Sequence, residues 1–109
     1  MKYHIYLIRQ GGTDYYKIGL SRNPVEQRLK SLQTGCPNEL EIVDVFTTEY
    51  GFVLERSIQR AYEHKKVFGG GDEWFELSID EVRQFRDKCT MTDYNMSVLI
   101  DSKNPYIKK

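Results

Sequence analysis

The sequence predicts a small α+β domain, and three observations point there. The chain has 109 residues, which suits one domain around one core. Stretches that alternate with period two are interspersed with stretches of helical period. Glycine, proline and asparagine fall between them, where turns and caps need them. With 39% apolar and 29% charged residues, the composition is that of a globular protein and excludes a disordered or fibrous one.

Residues 2–9 read as a strand, with Tyr3, Ile5 and Leu7 on one face and His4, Tyr6 and Ile8 on the other. Gln10 to Asp14 forms a turn in which Gly11 and Gly12 can take positive φ. Tyr15 to Leu20 returns as a second strand, and so short a connection favours an antiparallel hairpin. A helix follows, with Asn23 as N-cap, Pro24 at its first position and Glu26 at its third. Val25, Leu29 and Leu32 recur at i, i+4 and i+7, and Gly35 with Pro37 supplies the stop. Residues 40–47 alternate like a third strand. A second helix is expected from about Tyr50 to Lys66, with Leu54, Ile58, Ala61 and Tyr62 on one side. Phe68 to Asp72 reads as a flexible loop, Glu73 to Leu77 as a short strand, and Ser78 as the cap of a third helix holding Ile79, Val82 and Phe85. Beyond Thr90 the periodicity fades. The division that follows is a domain over 1–90 and a C-terminal extension, 91–109, without an assigned structure.

Net charge is zero, whereas free-standing nucleic-acid binders tend to be basic because neutralised phosphates release counterions. The distribution is uneven. Before Glu39, six basic residues (Lys2, Arg9, Lys17, Arg22, Arg28, Lys30) face only Asp14 and Glu26, a local excess of +4. Cys36 and Cys89 lack metal-ligand spacing, and the N-terminal stretch is too short and polar to target or span a membrane. The expectation is a reduced, cytoplasmic protein with no membrane partner.

Four features could carry chemistry. Arg28 lies about 40° from Leu32 and about 60° from Val25 around its helix, at the margin of the apolar stripe. There it either snorkels over the core edge or reaches a carboxylate or phosphate with bidentate hydrogen bonds. Glu55 lies about 20° from Tyr62, at the border of the second helix's apolar face. It is either ion-paired or a ligand for a hard cation such as Mg²⁺. Tyr6 and Lys17 form a pair on the two strands of the hairpin, with Tyr16 alongside. A phenol near an ammonium can act as a general base, or Tyr6 is simply an amphipathic strand residue. Lastly, the Gly19-Leu20-Ser21-Arg22 corner and the helix start behind it offer backbone amides to a phosphate. No GxSxG, Walker-type loop, HExxH or CxxC competes with these, and His4 and His64 stand at no metal-ligand spacing.

Taken in order, these residues form a pattern. His4-Ile5-Tyr6, a hairpin, Lys17-Ile18-Gly19 and then Arg28-Leu29 in a helix resemble the start of a GIY-YIG nuclease domain. Val53-Leu54-Glu55 and Asp72-Glu73-Trp74-Phe75 resemble its phage-type branch, which carries KIG and Glu-Trp-Phe signatures. The resemblance runs from Lys2 to Leu77. It implies a small three-stranded, mostly antiparallel sheet flanked by helices, and an endonuclease hydrolysing DNA to leave a 5′ phosphate. It also implies roles: Tyr6 contacts or deprotonates the attacking water, Arg28 binds the scissile phosphate, and Glu55 holds a single divalent metal, Mg²⁺ or Mn²⁺. Lys17 joins this catalytic group, and Tyr16, Gly19, Ser21 and Arg22 are the expected nucleic-acid contacts.

The chain departs from the family pattern in places. His4 stands at the first glycine, Lys17 at the second tyrosine, and Gln59 where this branch often carries histidine. The asparagine that ends many such sites has only Asn104 as a remote counterpart. Two readings follow: a metal-dependent nuclease acting on DNA, or a catalytically silent descendant that binds nucleic acid or protein. With no zinc finger, helix-turn-helix or long basic arm, target choice falls to loops, to a homodimer or to a protein partner; Lys103, Lys108 and Lys109 could add phosphate contacts.

Overall fold

Two strands, β1 (Tyr3–Gln10) and β2 (Tyr15–Ser21), form the expected antiparallel hairpin, with Tyr6 opposite Gly19 and Ile8 opposite Lys17. Its turn is closed by the Thr13 amide donating to the Gln10 carbonyl at 3.2 Å. Gly12 sits at the third turn position with φ +76°, a conformation that costs glycine nothing. The computed structural model describes residues 2–67 and 74–101. The expected loop at Phe68–Asp72, Glu73 of the Glu-Trp-Phe signature, Asn104 and the tail lysines lie outside them.

Helix α1 (Val25–Thr34) follows the hairpin, then strand β3 (Leu40–Thr48), helix α2 (Gly51–Ala61), a 3₁₀ turn at Glu63–Lys65, strand β4 (Trp74–Glu76) and helix α3 (Ile79–Asp101). The α+β class holds, but the sheet has four strands, in the order β3-β1-β2-β4, not three. All its pairings are antiparallel. The fourth strand is the Trp74–Glu76 segment, where the sequence predicts a short strand; it pairs with Tyr15–Lys17 at the start of β2 and leaves the rest of that strand outside its register.

The sheet is covered on both sides. Ile5 and Leu7 of β1 point, with Tyr16, Ile18 and Phe75, into a core shared with Leu54, Ile58 and Tyr62 and with Phe85 and Cys89 of α3. Tyr6 and Ile8 point the other way and pack with Val25 and Leu40, flanked by Leu29, Leu32, Ile42, Val45 and Trp74. Each fully buried aliphatic side chain contributes roughly 1.5–3 kcal/mol of transfer free energy. A register shift in β3 opposite Leu7 and Ile8 lets both Ile42 and Val45 face the α1 side, which strict alternation would forbid.

Several local expectations need correcting. Pro24, not Asn23, occupies the N-cap of α1, and no side chain caps that helix. The Asn23 amide instead donates to Ser21 Oγ at 3.2 Å. Helix α2 stops at Ala61, which is exposed; Tyr62, one residue on, fills the inward position. Ile79 is 67% exposed, because α3 meets the core through Val82, Phe85 and Cys89 and not through its first residue. Helix α3 also runs without a break past Thr90 to Asp101. Arg86 reaches the Asp44 carboxylate and the Val45 carbonyl, and Thr48 Oγ1 donates to Asp93, so the helix is tied to β3 on both sides of residue 90.

The start of α3 is a capping box. The Glu81 amide donates to Ser78 Oγ at 3.2 Å, and the Ser78 amide donates to the Glu81 carboxylate at 2.9 Å. Ser78→Ala is expected to lower stability by about 1 kcal/mol, read as a lower urea midpoint at unchanged m-value. That backbone hydrogen bond also holds the Glu81 carboxyl below its ordinary value. A depressed folded pKa adds stability above the unfolded value, and this stability is lost as pH falls through the folded value. Glu81→Gln should therefore flatten the acid limb of the stability–pH curve. An unchanged limb would show that Glu81 contributes nothing there.

Burial pushes the Cys89 thiol up to about 12, whereas Cys36 is partly exposed. A thiol reagent at mildly alkaline pH should modify Cys36 alone in the folded protein and both cysteines in denaturant. Fast modification of Cys89 in the native state would contradict this packing.

Candidate active site and its family

Tyr6 is 1% exposed on the α1 side of the sheet. Its ring crosses β2 directly over Gly19. A β-carbon built at Gly19 would lie 2.8 Å from Tyr6 Cε1 and closer still to the hydroxyl. Glycine is thus the residue that lets the phenol lie down on the strand. From α1, Arg28 donates through Nε to the Tyr6 hydroxyl at 3.4 Å. The helical wheel placed Arg28 at the margin of the buried stripe. The residue is in fact exposed, with its guanidinium turned back to Tyr6.

Lys17 shares this face, opposite Ile8 and two residues from Gly19. It is 8% exposed, and its Nζ lies 5.7 Å from the centre of the Trp74 ring. From sequence, Trp74 belongs to a short strand and to the Glu-Trp-Phe signature, with no role at the site. Its pairing with Lys17 depends on β4 joining the sheet, which no local pattern announces.

Glu55 approaches from the other layer. It is partly buried on α2, one turn before Gln59. The Gln59 amide donates to the Ile18 carbonyl of β2 at 2.8 Å. Residues four apart share a side of a helix, so Glu55 is carried on the side of α2 turned toward β2. Among the described residues, no three His, Cys, Asp or Glu side chains converge as a ligand set. A single carboxylate still suits a hard cation such as Mg²⁺, which keeps several waters and takes one or two carboxylates with substrate phosphate.

The expected nucleic-acid contacts separate. Gly19 belongs to the Tyr6–Arg28 centre. Tyr16 points into the opposite core and is 6% exposed, because strand alternation turns it away from Lys17; it is a packing residue. Ser21 Oγ also donates to the Asn23 carbonyl at 2.8 Å, so this side chain organises the corner. With the Asn23 amide engaged and Pro24 lacking an N–H, the helix start is a poorer phosphate cradle than its sequence promised. Arg22 is exposed, with its guanidinium 5.5 Å from the Tyr3 ring centre. His4 Nδ1 is within 3.1 Å of Thr47 Oγ1, which gives that ring a structural partner.

The T5orf172 domain profile matches residues 3–90. The chain belongs to the T5orf172 domain family. This is a phage-associated domain of an endonuclease-related group, and membership gives the protein a nuclease-like or DNA-binding role at a coarse level. No curated protein and no solved structure matches the chain. The T5orf172 match takes in all four strands, α1, α2 and the first half of α3, and with them Tyr6, Lys17, Gly19, Arg28, Glu55 and Trp74. The last turns of α3 lie beyond it. Among the described residues of this T5orf172 protein, no helix is long and apolar enough to cross a membrane.

Proposed function

We propose that this T5orf172 domain is a metal-dependent endonuclease of GIY-YIG type that hydrolyses DNA phosphodiester bonds. The observation that carries the reading is the Arg28 guanidinium held against the Tyr6 hydroxyl over Gly19. Nε faces the phenol, and the terminal nitrogens are the donors that would take the scissile phosphate in bidentate fashion. As Arg28 moves onto the phosphate, the phenol becomes accessible to water. Tyr6, acting in its ionised form, then orients that water and takes its proton while the oxygen attacks phosphorus and the bond to the 3′ oxygen breaks, the leaving oxygen taking a proton from solvent. The products are a 5′ phosphate and a 3′ hydroxyl. Glu55 would hold one Mg²⁺ or Mn²⁺, which when bound supplies Lewis-acid stabilisation of the leaving oxygen. Lys17, packed on Trp74, adds positive potential on the substrate side of the sheet.

Two observations favour a second reading, a silent binding module. Tyr6 is almost wholly covered, and Lys17 occupies the position of a second tyrosine. Supercoiled plasmid incubated with the protein and Mg²⁺ or Mn²⁺, beside an EDTA control, separates the two. Metal-dependent nicking supports the nuclease. Intact plasmid, single-stranded DNA and RNA under either metal would leave the binding module.

A further inference from the structure

The face that carries Tyr6 and Arg28 continues along β2 to a second feature. Helix α1 lies over β1 and β3, and near its C-terminal end the surface opens into a groove of about 550 Å³. Tyr15, Trp74, Leu32 and Leu40 line it, with Gln10 and Ser31 among its polar groups. Its size falls in the range of small-ligand sites, as does its make-up of apolar and aromatic walls with a few hydrogen-bonding side chains. Tyr15, Lys17 and Gly19 alternate along one face of β2. At about 3.3 Å per residue, the groove's Tyr15 stands roughly 13 Å from Gly19, with Lys17 between.

Resting on the nuclease reading, we propose that this groove receives an unpaired nucleobase of the strand being cut. A base is a flat aromatic ring with a hydrogen-bonding edge. Trp74 and Tyr15 offer it rings to stack on, Gln10 and Ser31 offer polar partners, and Leu32 and Leu40 form the apolar wall. Charge complementarity decides for nucleic acid over an apolar peptide, because Lys17 stands on β2 between the groove and Gly19, and Arg28 of α1 stands at the Tyr6–Gly19 centre beyond it. A base stacked and paired within a duplex cannot enter such a groove, so the substrate class is DNA with a single-stranded or unpaired nucleotide beside the cut.

Trp74 is the one tryptophan of the chain, so its fluorescence reports on the groove. The wild-type protein, in EDTA, is titrated with a short oligothymidylate, with the same strand bearing an abasic position, and with the paired duplex. The oligothymidylate should quench Trp74 and the duplex should not, and the abasic strand should bind more weakly. Ser31→Tyr, which fills the groove from an exposed helix position, should abolish the quenching and weaken oligothymidylate binding by at least about fivefold. Tyr15→Ala should weaken it comparably. Binding without quenching, or quenching that survives Ser31→Tyr, would overturn the groove assignment and leave the nuclease reading intact. Failure to bind any of the three DNAs would overturn both.

Discussion

Glu55→Ala is expected to remain folded and to lose metal-dependent plasmid cleavage by about 10³-fold or more, since it removes the carboxylate assigned to the metal. Arg28→Ala should lose about 10²–10³-fold, the usual consequence of removing a donor aimed at developing charge. Neither change should move thermal stability much, because Arg28 is exposed and Glu55 is only partly buried. Arg28→Lys is the informative companion. It keeps the charge but loses both the Nε donor to Tyr6 and the planar fork, so its rate should stay close to that of Arg28→Ala. Raising the metal concentration should rescue none of the Arg28 variants. A Glu55→Ala protein that cuts at the wild-type rate would remove the metal assignment.

Gly19→Ala should have the second largest effect, and it tests the geometry directly. The added carbon would fall too close to the Tyr6 hydroxyl and the ring edge, 2.8 Å from Cε1, and because that ring is packed between β2 and α1 it has little room to give way. Overpacking of this kind costs about 1–3 kcal/mol, enough to lower the melting temperature by several degrees. Activity should fall further than stability explains, because displacing the phenol removes the acceptor that orients Arg28. Pairing Gly19→Ala with Tyr6→Ala should give effects well short of additive, since the clash exists only while both groups are present. Wild-type stability and rate in Gly19→Ala would mean that Tyr6 does not rest on the strand as described.

Local chemistry made much of this architecture legible. The two faces of β1 could be read from alternation, and both are buried as that pattern implies, Ile5 and Leu7 on one side and Tyr6 and Ile8 on the other. Ser78 was legible as a cap because its hydroxyl bonds an amide three residues away, an interaction the sequence contains in full. Asn23 did not become the cap of α1. The backbone enters the helix one residue later, through Pro24 with φ −51° and ψ 135°, and those angles are not stated by a residue list. The later half of α3 escaped notice because its exposed Met91, Tyr94 and Val98 blur the helical period. Its attachment to β3 depends on Thr48 and Asp93, which are 45 residues apart.

For the candidate site, residue types and order by themselves singled out Tyr6, Lys17, Arg28 and Glu55, because few side chains can bind a phosphate or hold a hard cation. Tertiary structure alone decided how they are grouped. Tyr6, Gly19 and Arg28 meet on one face, Glu55 comes from the helix on the other, and Tyr16 is withdrawn into the core by the two-residue alternation of its strand. It also decided that Trp74 stands over Lys17. That contact joins residues 57 apart in the chain, and only the pairing of β4 with β2 brings them together.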